Sequence, residues 1–200
     1  MASPLFERIR ALLGGRTPGL LERLPPGEPE PRPAAVLVPL YEEAGEPRLL
    51  LTKRTDSLPR HAGDVSFPGG GREPLDRDLL ATALREADEE LGLRPADVDV
   101  LGPLDLCDTI TRFRVAPFVG VVPHPYELRP APAEVARVLR LPLRGFLEPG
   151  ALRIDRREVF GLMRDIYFYT VEGEVVWGAT GRIVHQLLEL IRPLLLEARP

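Results

Sequence analysis

Three glutamates in the segment from Arg85 to Leu91 have the types and the spacing of a metal site. Glu86 and Glu90 are one helical turn apart, and Glu89 lies beside Glu90. On a helix these side chains fall on one side, at the edge of an apolar stripe, because residues three and four apart share a face. Like charges this close repel each other, and burial beside apolar groups raises the cost.

A hard divalent cation resolves this repulsion, because Mg²⁺ and Mn²⁺ prefer carboxylate oxygens and keep positions for water and phosphate oxygens. Arg85 precedes Glu89 by four residues, and a salt bridge between the two would fix the orientation of one carboxylate. The alternative is an acidic helix face that is solvated and binds nothing. The glutamates alone leave both interpretations open, and the surrounding sequence favours the metal site.

The helix that carries the glutamates is predicted from Asp76 to Leu91. An acidic start suits the positive end of the helix dipole, and Gly92 supplies a stop. Asp76 is expected to act as the helix cap rather than as a metal ligand. The stretch from Thr55 to Pro74 is predicted to be a long irregular loop, which inside a compact domain is often functional.

From Phe67 to Leu93 the chain reads FPGGGREPLDRDLLATALREADEELGL, and here it resembles the Nudix hydrolase family. The motif of that family is a glycine, five residues, an acidic residue, a spacer, and then R-E-U-x-E-E-x-G-U, in which U is aliphatic. Gly70 and Asp76 match the first half with Asp in place of the usual Glu and with a spacer one residue longer. The second half is matched by Arg85, Glu86, Ala87, Glu89, Glu90, Gly92 and Leu93.

The resemblance implies a hydrolase of pyrophosphate linkages that uses Mg²⁺ or Mn²⁺ as cofactor. It implies that Glu86 and Glu90 ligate the metal, and that Glu89 contributes as a ligand or as the general base. The carbonyl of Gly69 is a further expected ligand, because the PGG turn brings bare backbone close to the helix.

The general base has two candidates. Glu89, oriented by Arg85, is the first choice. Glu134 is the second, because Nudix proteins often recruit an acidic loop residue from outside the motif; its alternative role is an interaction with a helix dipole.

A second stretch, from Leu50 to Gly70, is similar to the segment that precedes the motif in the coenzyme A pyrophosphatase branch, although Pro59 stands where that branch usually has Arg. The similarity implies that coenzyme A or an acyl derivative is cleaved to 4'-phosphopantetheine and adenosine 3',5'-bisphosphate. Arg54 and Arg60 are expected to bind the phosphates, since a guanidinium matches phosphate oxygens. His61 is expected either to bind a phosphate or the adenosine, or to make an ordinary structural hydrogen bond.

The similarity continues at Pro132–Val135 and at Trp177–Thr180. Trp177 is expected to pack in the core, with stacking on adenine as the alternative. His124 and His185 are expected to have structural roles.

Two other functions stay open at this stage. One is a Nudix hydrolase for ADP-ribose, NADH or another nucleoside diphosphate derivative. The other is a non-catalytic nucleotide-binding module, although a pure binder has no need of three converging carboxylates.

Composition limits the functional class. The 200 residues, with 44% hydrophobic and 28% charged residues, predict a single domain over residues 1–200 in which residues 1–33 form an N-terminal helix and a Pro-rich connector. A net charge of -4 argues against a nucleic-acid partner. No apolar run is long enough for a membrane span and no secretory signal is recognisable, so a cytoplasmic location is expected. The predicted partner is a small nucleotide substrate, and the oligomeric state stays open.

The predicted fold class is α/β (α+β), a Nudix-type α/β/α sandwich with a mixed β-sheet between helices. A hairpin is expected from Ala34 to Lys53, and a closing amphipathic helix from Gly178 to Glu197. Glu134 to Leu139 and Leu143 to Leu147 are expected to be short helical pieces.

Overall fold

The structure is a computed structural model, and it describes residues 3–25, 27–55 and 63–197. The helices are α1 (Pro4–Leu13), α2 (Leu79–Leu91) and α3 (Gly178–Glu197), with 3₁₀ turns at Pro95–Asp97 and Leu143–Leu147. The strands of the larger sheet are β1 (Leu20–Glu22), β2 (Arg32–Glu43), β3 (Glu46–Arg54), β4 (Val65–Ser66), β5 (Gly69–Gly71), β6 (Asp99–Pro103), β7 (Leu106–Asp108), β8 (Phe113–Val121) and β9 (Val135–Pro142). The strands of the smaller sheet are β10 (Leu152–Val159), β11 (Leu162–Val171) and β12 (Glu174–Val176).

The larger sheet is mixed, with the order β1-β7-β8-β2-β3-β4 and with β5, β6 and β9 paired to β2, β8 and β3. Strand β2 runs parallel to β8 along one edge. Its other edge changes partner. Residues 34–36 pair with β5, and residues 40–43 pair with β3. We call this change of partner the β2 fork.

The sheet has a hydrophobic core on each face. Alternate residues of β2 supply both cores, because successive side chains of a strand point to opposite faces. Ala35, Leu37 and Tyr41 pack with α2, whereas Val38 and Leu40 pack with α1 and α3. The predicted α/β/α sandwich with a mixed sheet is therefore confirmed.

The predicted helical piece from Glu134 to Leu139 is wrong, because residues 135–142 form β9 and pair antiparallel with β3. The free edge of β3 offers a full ladder of hydrogen bonds, and the β-branched Val135 and Val138 suit a strand. The predicted loop before α2 contains two short strands, β4 and β5. Among the helices of the described residues, none combines the length and the hydrophobicity needed to cross a bilayer.

Candidate active site

Helix α2 begins three residues later than predicted. Its N-cap is Asp78, whose side chain accepts a hydrogen bond from the backbone N–H of Ala81 at 2.8 Å. At the other end Gly92 adopts the left-handed conformation, with φ of 68°, and its N–H binds the carbonyl of Asp88. The prediction that Asp76 caps the helix is therefore wrong, because Asp78 takes that role.

Asp76 instead holds an arginine in place. Its buried carboxylate accepts hydrogen bonds from Arg85 Nε at 3.0 Å, from Thr82 Oγ1 at 2.9 Å and from the N–H of Glu73 at 2.9 Å. The guanidinium of Arg85 is the main reason that the pKa of Asp76 lies far below its usual range. This positioning role was missed in the sequence, where two aspartates precede the helix and only the tertiary contact with Arg85 separates them.

Arg85 links three carboxylates at once. Beyond Asp76, its guanidinium lies 3.0 Å from Glu86 Oε1 and 2.9 Å from Glu89 Oε2, and it donates to the carbonyl of Gly71 at 3.2 Å. The predicted salt bridge between Arg85 and Glu89 is present. The arginine therefore fixes the direction of the acidic side chains that line the helix.

Glu90 and Glu86 are the buried members of the group. Glu90 is 4% exposed, and burial raises its pKa to about 7, with the charges of Glu134 and Glu86 adding to the effect. The N–H of Gly69, which donates to Glu90 Oε1 at 3.1 Å, and the charge of Arg54 oppose that rise. Burial also raises the pKa of Glu86. Two carboxylates are thus kept close together where their charged forms are costly.

Strand β5 brings backbone without side chains against these carboxylates. Gly70 lies so close to Glu86 that an added Cβ would meet its Oε1 at 2.5 Å. Gly69 faces the site through its N–H, which binds Glu90, and ligation by its carbonyl stays a prediction. The neighbouring Gly71 has more room, since an added Cβ there would be 3.8 Å from its nearest neighbour, in Phe113.

The loop before β9 carries Glu134 to the same place. The N–H of Ala131 donates to the carbonyl of Glu90 at 2.9 Å, which attaches the loop to the last turn of α2. Further along, the N–H of Thr55 donates to the carbonyl of Glu134 at 3.0 Å. Glu134 is exposed, and its charge is close enough to act on the pKa of Glu90. Glu89 is also open to solvent, with 59% of its side chain exposed.

The predicted phosphate-binding residues are only partly within the described chain. Arg54 is the last residue of β3, and within the described ranges its Nε is buried and has no hydrogen-bond partner. Arg60 and His61 lie outside the described residues. A buried cationic donor next to this acidic site suits an anionic ligand such as a phosphate.

Trp177 is not a core residue, so that prediction is wrong. Its side chain is 42% exposed, donates from Nε1 to Asp64 at 3.2 Å and stacks parallel to Phe168 at 5.8 Å between ring centroids. The two other histidines make intramolecular contacts: His185 hydrogen-bonds with Tyr169 and His124 stacks on Tyr41.

The donors at this site fit a divalent cation. Glu86 and Glu90 offer partly or fully buried carboxylate oxygens, the donors that Mg²⁺ and Mn²⁺ prefer, next to the bare backbone of Gly70. In the part of the chain that the structure describes, no three acidic, histidine or cysteine side chains are already gathered at coordinating distance. Arg85 contacts one oxygen of Glu86 and one of Glu89, and the second oxygen of each carboxylate is the one that could ligate a cation while the arginine holds the group.

Comparison with known proteins agrees with this architecture. The NUDIX domain family matches residues 31–162. An uncharacterized Nudix hydrolase, NudL, of Photorhabdus laumondii is 40% identical over 164 residues, which cover 80% of this chain and 86% of the relative. NudL of Citrobacter koseri is 41% identical over 185 residues, which cover 91% and 88%.

A solved structure extends the likeness to the fold. The crystal structure of a MutT/nudix family protein from Enterococcus faecalis superimposes with a TM-score of 0.55 at 16% identity, over 88% of this chain and 70% of that one. The glutamate-bearing helix, the glycine strand against it and the matched residues 31–162 lead to one assignment. The chain belongs to the Nudix family of hydrolases, which act on pyrophosphate bonds.

Proposed function

We propose that this Nudix hydrolase cleaves the pyrophosphate bond of coenzyme A or acyl-coenzyme A in a reaction that depends on Mg²⁺ or Mn²⁺. The products are 4'-phosphopantetheine and adenosine 3',5'-bisphosphate. The observation that carries the metal-dependent chemistry is the pair Glu86 and Glu90, whose carboxylates are kept together at low exposure against the backbone of β5.

Glu86, Glu90 and the carbonyl of Gly69 are the proposed ligands, and Glu89 is proposed either as a further ligand or as the general base. A bound divalent cation would neutralise charge on the pyrophosphate and make the attacking water more acidic. Arg85 directs Glu86 and Glu89, and Asp76 holds Arg85. The protein thereby fixes the acidic groups before substrate binds, which reduces the reorganisation that catalysis requires.

The base must reach a water molecule, so exposure favours Glu89 and Glu134 over the buried Glu90. Glu89 is the first choice because Arg85 orients it through its Oε2 at 2.9 Å, and most of its side chain is open to solvent. Glu134 is the second, since its loop is attached to the helix end that carries Glu90. General-base catalysis contributes about a hundredfold or more, so removing the true base has a measurable effect.

The finer assignment to coenzyme A is supported by the sequence from Leu50 to Gly70 and by Arg54, whose buried Nε suits a phosphate oxygen. Arg60 and His61 are proposed to add contacts to the phosphates or to the adenosine. ADP-ribose or NADH is the alternative substrate within the same chemistry. The alternative outside this chemistry is a non-catalytic nucleotide-binding module. A single measurement of turnover separates that module from a hydrolase.

The test is mass-spectrometric product analysis of coenzyme A, acetyl-coenzyme A, NADH and ADP-ribose with Mg²⁺ or Mn²⁺. Coenzyme A species are expected to be cleaved best, and the Glu86→Gln and Glu90→Gln variants to lose most of the activity while they remain folded. Asp88→Asn is the matched control, because Asp88 is an exposed acid on the same helix. Equal cleavage of all four compounds would refute the coenzyme A assignment, and full activity in both glutamine variants would refute the metal site.

A further inference from the structure

A cavity of about 450 Å³ lies beside the carboxylate site. Its walls are β4, residues 107–111, one face of the β10–β11 hairpin and the first turn of α3. Among the proposed site residues, Arg54 contributes to its lining. We call this space the β10–β11 cavity.

The cavity has an aromatic wall. Phe168 and Trp177 both line it and stack with their planes within 2° of parallel. Arg153 already covers the ring of Phe168, at 4.2 Å from its centroid. Trp177 is therefore the ring that offers open surface, and a flat aromatic ligand can stack on it.

The cavity is also lined by like charges. Arg157 of β10 and Arg164 of β11 are directly opposite each other in the strand register, and both line the cavity. Like charges in directly opposite positions destabilise a sheet. Arg157 is partly compensated by Asp155 at 2.9 Å, and Arg164 donates to the carbonyl of Arg23. An anion between the two arginines would reduce the repulsion between them.

Of the acidic neighbours, Asp155 shares the face of this pair and is hydrogen-bonded to Arg153 and Arg157. Glu158 and Asp165 also border the cavity, but their side chains point to the opposite face of the hairpin, because successive side chains of a strand alternate. There Asp165 lies 3.7 Å from Arg156. The hairpin face toward the cavity therefore has three arginines, Arg153, Arg157 and Arg164, against one carboxylate, Asp155. Asp64 and Asp108 also line the cavity, where they accept hydrogen bonds from Trp177 and Arg114.

The cavity connects to the carboxylate site through two strands. Arg54, which lines the cavity, is opposite Val135 in the register of β3 and β9, next to Glu134. On the other side, Ser66 lines the cavity three residues before Gly69, whose N–H binds Glu90. A group attached directly to the scissile pyrophosphate can therefore enter the cavity.

We infer that the β10–β11 cavity binds the nucleotide end of the substrate, with the base stacked on Trp177 and a phosphate monoester between Arg157 and Arg164. The identification of that end as the 3'-phosphorylated adenosine of coenzyme A rests on the proposed function. The pantetheine end fits less well, because it has neither an aromatic ring nor a second anionic group to pair with the arginines.

The experiment uses the full chain and its own fluorophore. Trp177 is the only tryptophan in the sequence, so selectively excited fluorescence reports on this wall alone. Adenosine 3',5'-bisphosphate, adenosine 5'-monophosphate and 4'-phosphopantetheine are titrated separately. The bisphosphate is expected to quench saturably and to bind about tenfold more tightly than the monophosphate, since a charge-assisted phosphate contact is lost in the latter.

Two arginines of the same strand give the matched pair of variants. Arg157→Gln is expected to abolish the preference for the bisphosphate, whereas Arg156→Gln, on the opposite face, is expected to retain it. Trp177→Leu, followed by calorimetry, is expected to weaken both adenosine nucleotides about tenfold through the loss of stacking. Three results would each overturn the inference. They are the absence of quenching by the bisphosphate, quenching by 4'-phosphopantetheine in its place, and an equal loss of the preference for the bisphosphate in the two arginine variants.

Failure of this inference and failure of the proposed function are distinguishable. If coenzyme A is cleaved with an unchanged KM in Arg157→Gln and Trp177→Leu, the cavity assignment is wrong and the proposed reaction stands. If the bisphosphate binds with the expected dependence on Arg157 while coenzyme A is not cleaved, the cavity binds a phosphorylated nucleotide and the proposed substrate is wrong.

Discussion

Removing the charge of Glu90 is expected to make the metal-free protein more stable at alkaline pH while it removes activity. Glu90 is 4% exposed, and its pKa rises from 4.5 to about 7, mainly through burial. Each pKa unit corresponds to about 1.4 kcal/mol, so ionising Glu90 in the folded state costs about 3 kcal/mol. Glutamine has nearly the same shape, can still accept the hydrogen bond from Gly69, and does not ionise.

The direction of the pH dependence follows from linkage. Below 4.5 the carboxyl is protonated in the folded and the unfolded chain, so Glu90 imposes no penalty. As the pH rises toward about 7, the unfolded chain releases the proton while the folded chain retains it, and stability is lost. Above that value the penalty is complete. Glu90→Gln should therefore match the parent chain in acid and exceed it in alkali.

The assay is thermal unfolding in the presence of EDTA at about pH 4 and about pH 8.5. For a chain of this size, about 3 kcal/mol corresponds to a rise in Tm of about 6 to 12 °C at the higher pH. Asp88→Asn is the control, and its Tm should equal that of the parent at both values. A Glu90→Gln variant that is no more stable than the parent in alkali would refute the reasoning. Adding Mn²⁺ at the higher pH should raise the Tm of the parent more than that of the variant.

Further predictions address the neighbours of Glu90. Gly70→Ala should displace the Glu86 carboxylate, because the added Cβ would lie 2.5 Å from its Oε1. The Mn²⁺ affinity measured by calorimetry should therefore fall in this variant. Gly71→Ala, which has more room, should have little effect on that affinity. Asp76→Asn should release Arg85 and so lower kcat by about tenfold to a hundredfold. Asp78→Asn keeps a good N-cap and should leave kcat unchanged. Equal losses of kcat in the two variants would contradict the positioning role of Asp76. Of Glu89→Gln and Glu134→Gln, the variant that lacks the base should lose the acidic limb of the pH–rate profile, and a profile unchanged in both would exclude both residues as base.

The helix that carries the glutamates was predictable because it depends on local pattern. The apolar stripe set the face that α2 buries, and that face puts Glu90 at low exposure and Glu89 in solvent. The contact of Arg85 with Glu89 also follows from spacing along one helix. The same reasoning predicted α3 with the bounds that the structure has, because its apolar residues recur at helical spacing over 20 residues.

The errors arise where tertiary contacts decide. Asp76 and Asp78 are equally good caps by residue type, and only the position of Arg85 assigns them different roles. Residues 135–142 could suit a helix or a strand, and the available edge of β3 selects the strand. Trp177 was expected in the core because large aromatic residues usually are, but it lies at a cavity wall. The opposition of Arg157 and Arg164 depends on the register of β10 and β11, which the sequence does not state.

At the β2 fork, one neighbouring strand contacts the carboxylates of the site and the other ends at the proposed phosphate-binding arginine. The β5 branch holds the glycines that touch Glu86 and Glu90, and it tolerates little change. The β3 branch ends at Arg54, the proposed phosphate-binding residue that also lines the β10–β11 cavity. A substitution at the end of the β3 branch is therefore expected to change the affinity for substrate while the carboxylates against the β5 branch stay in place.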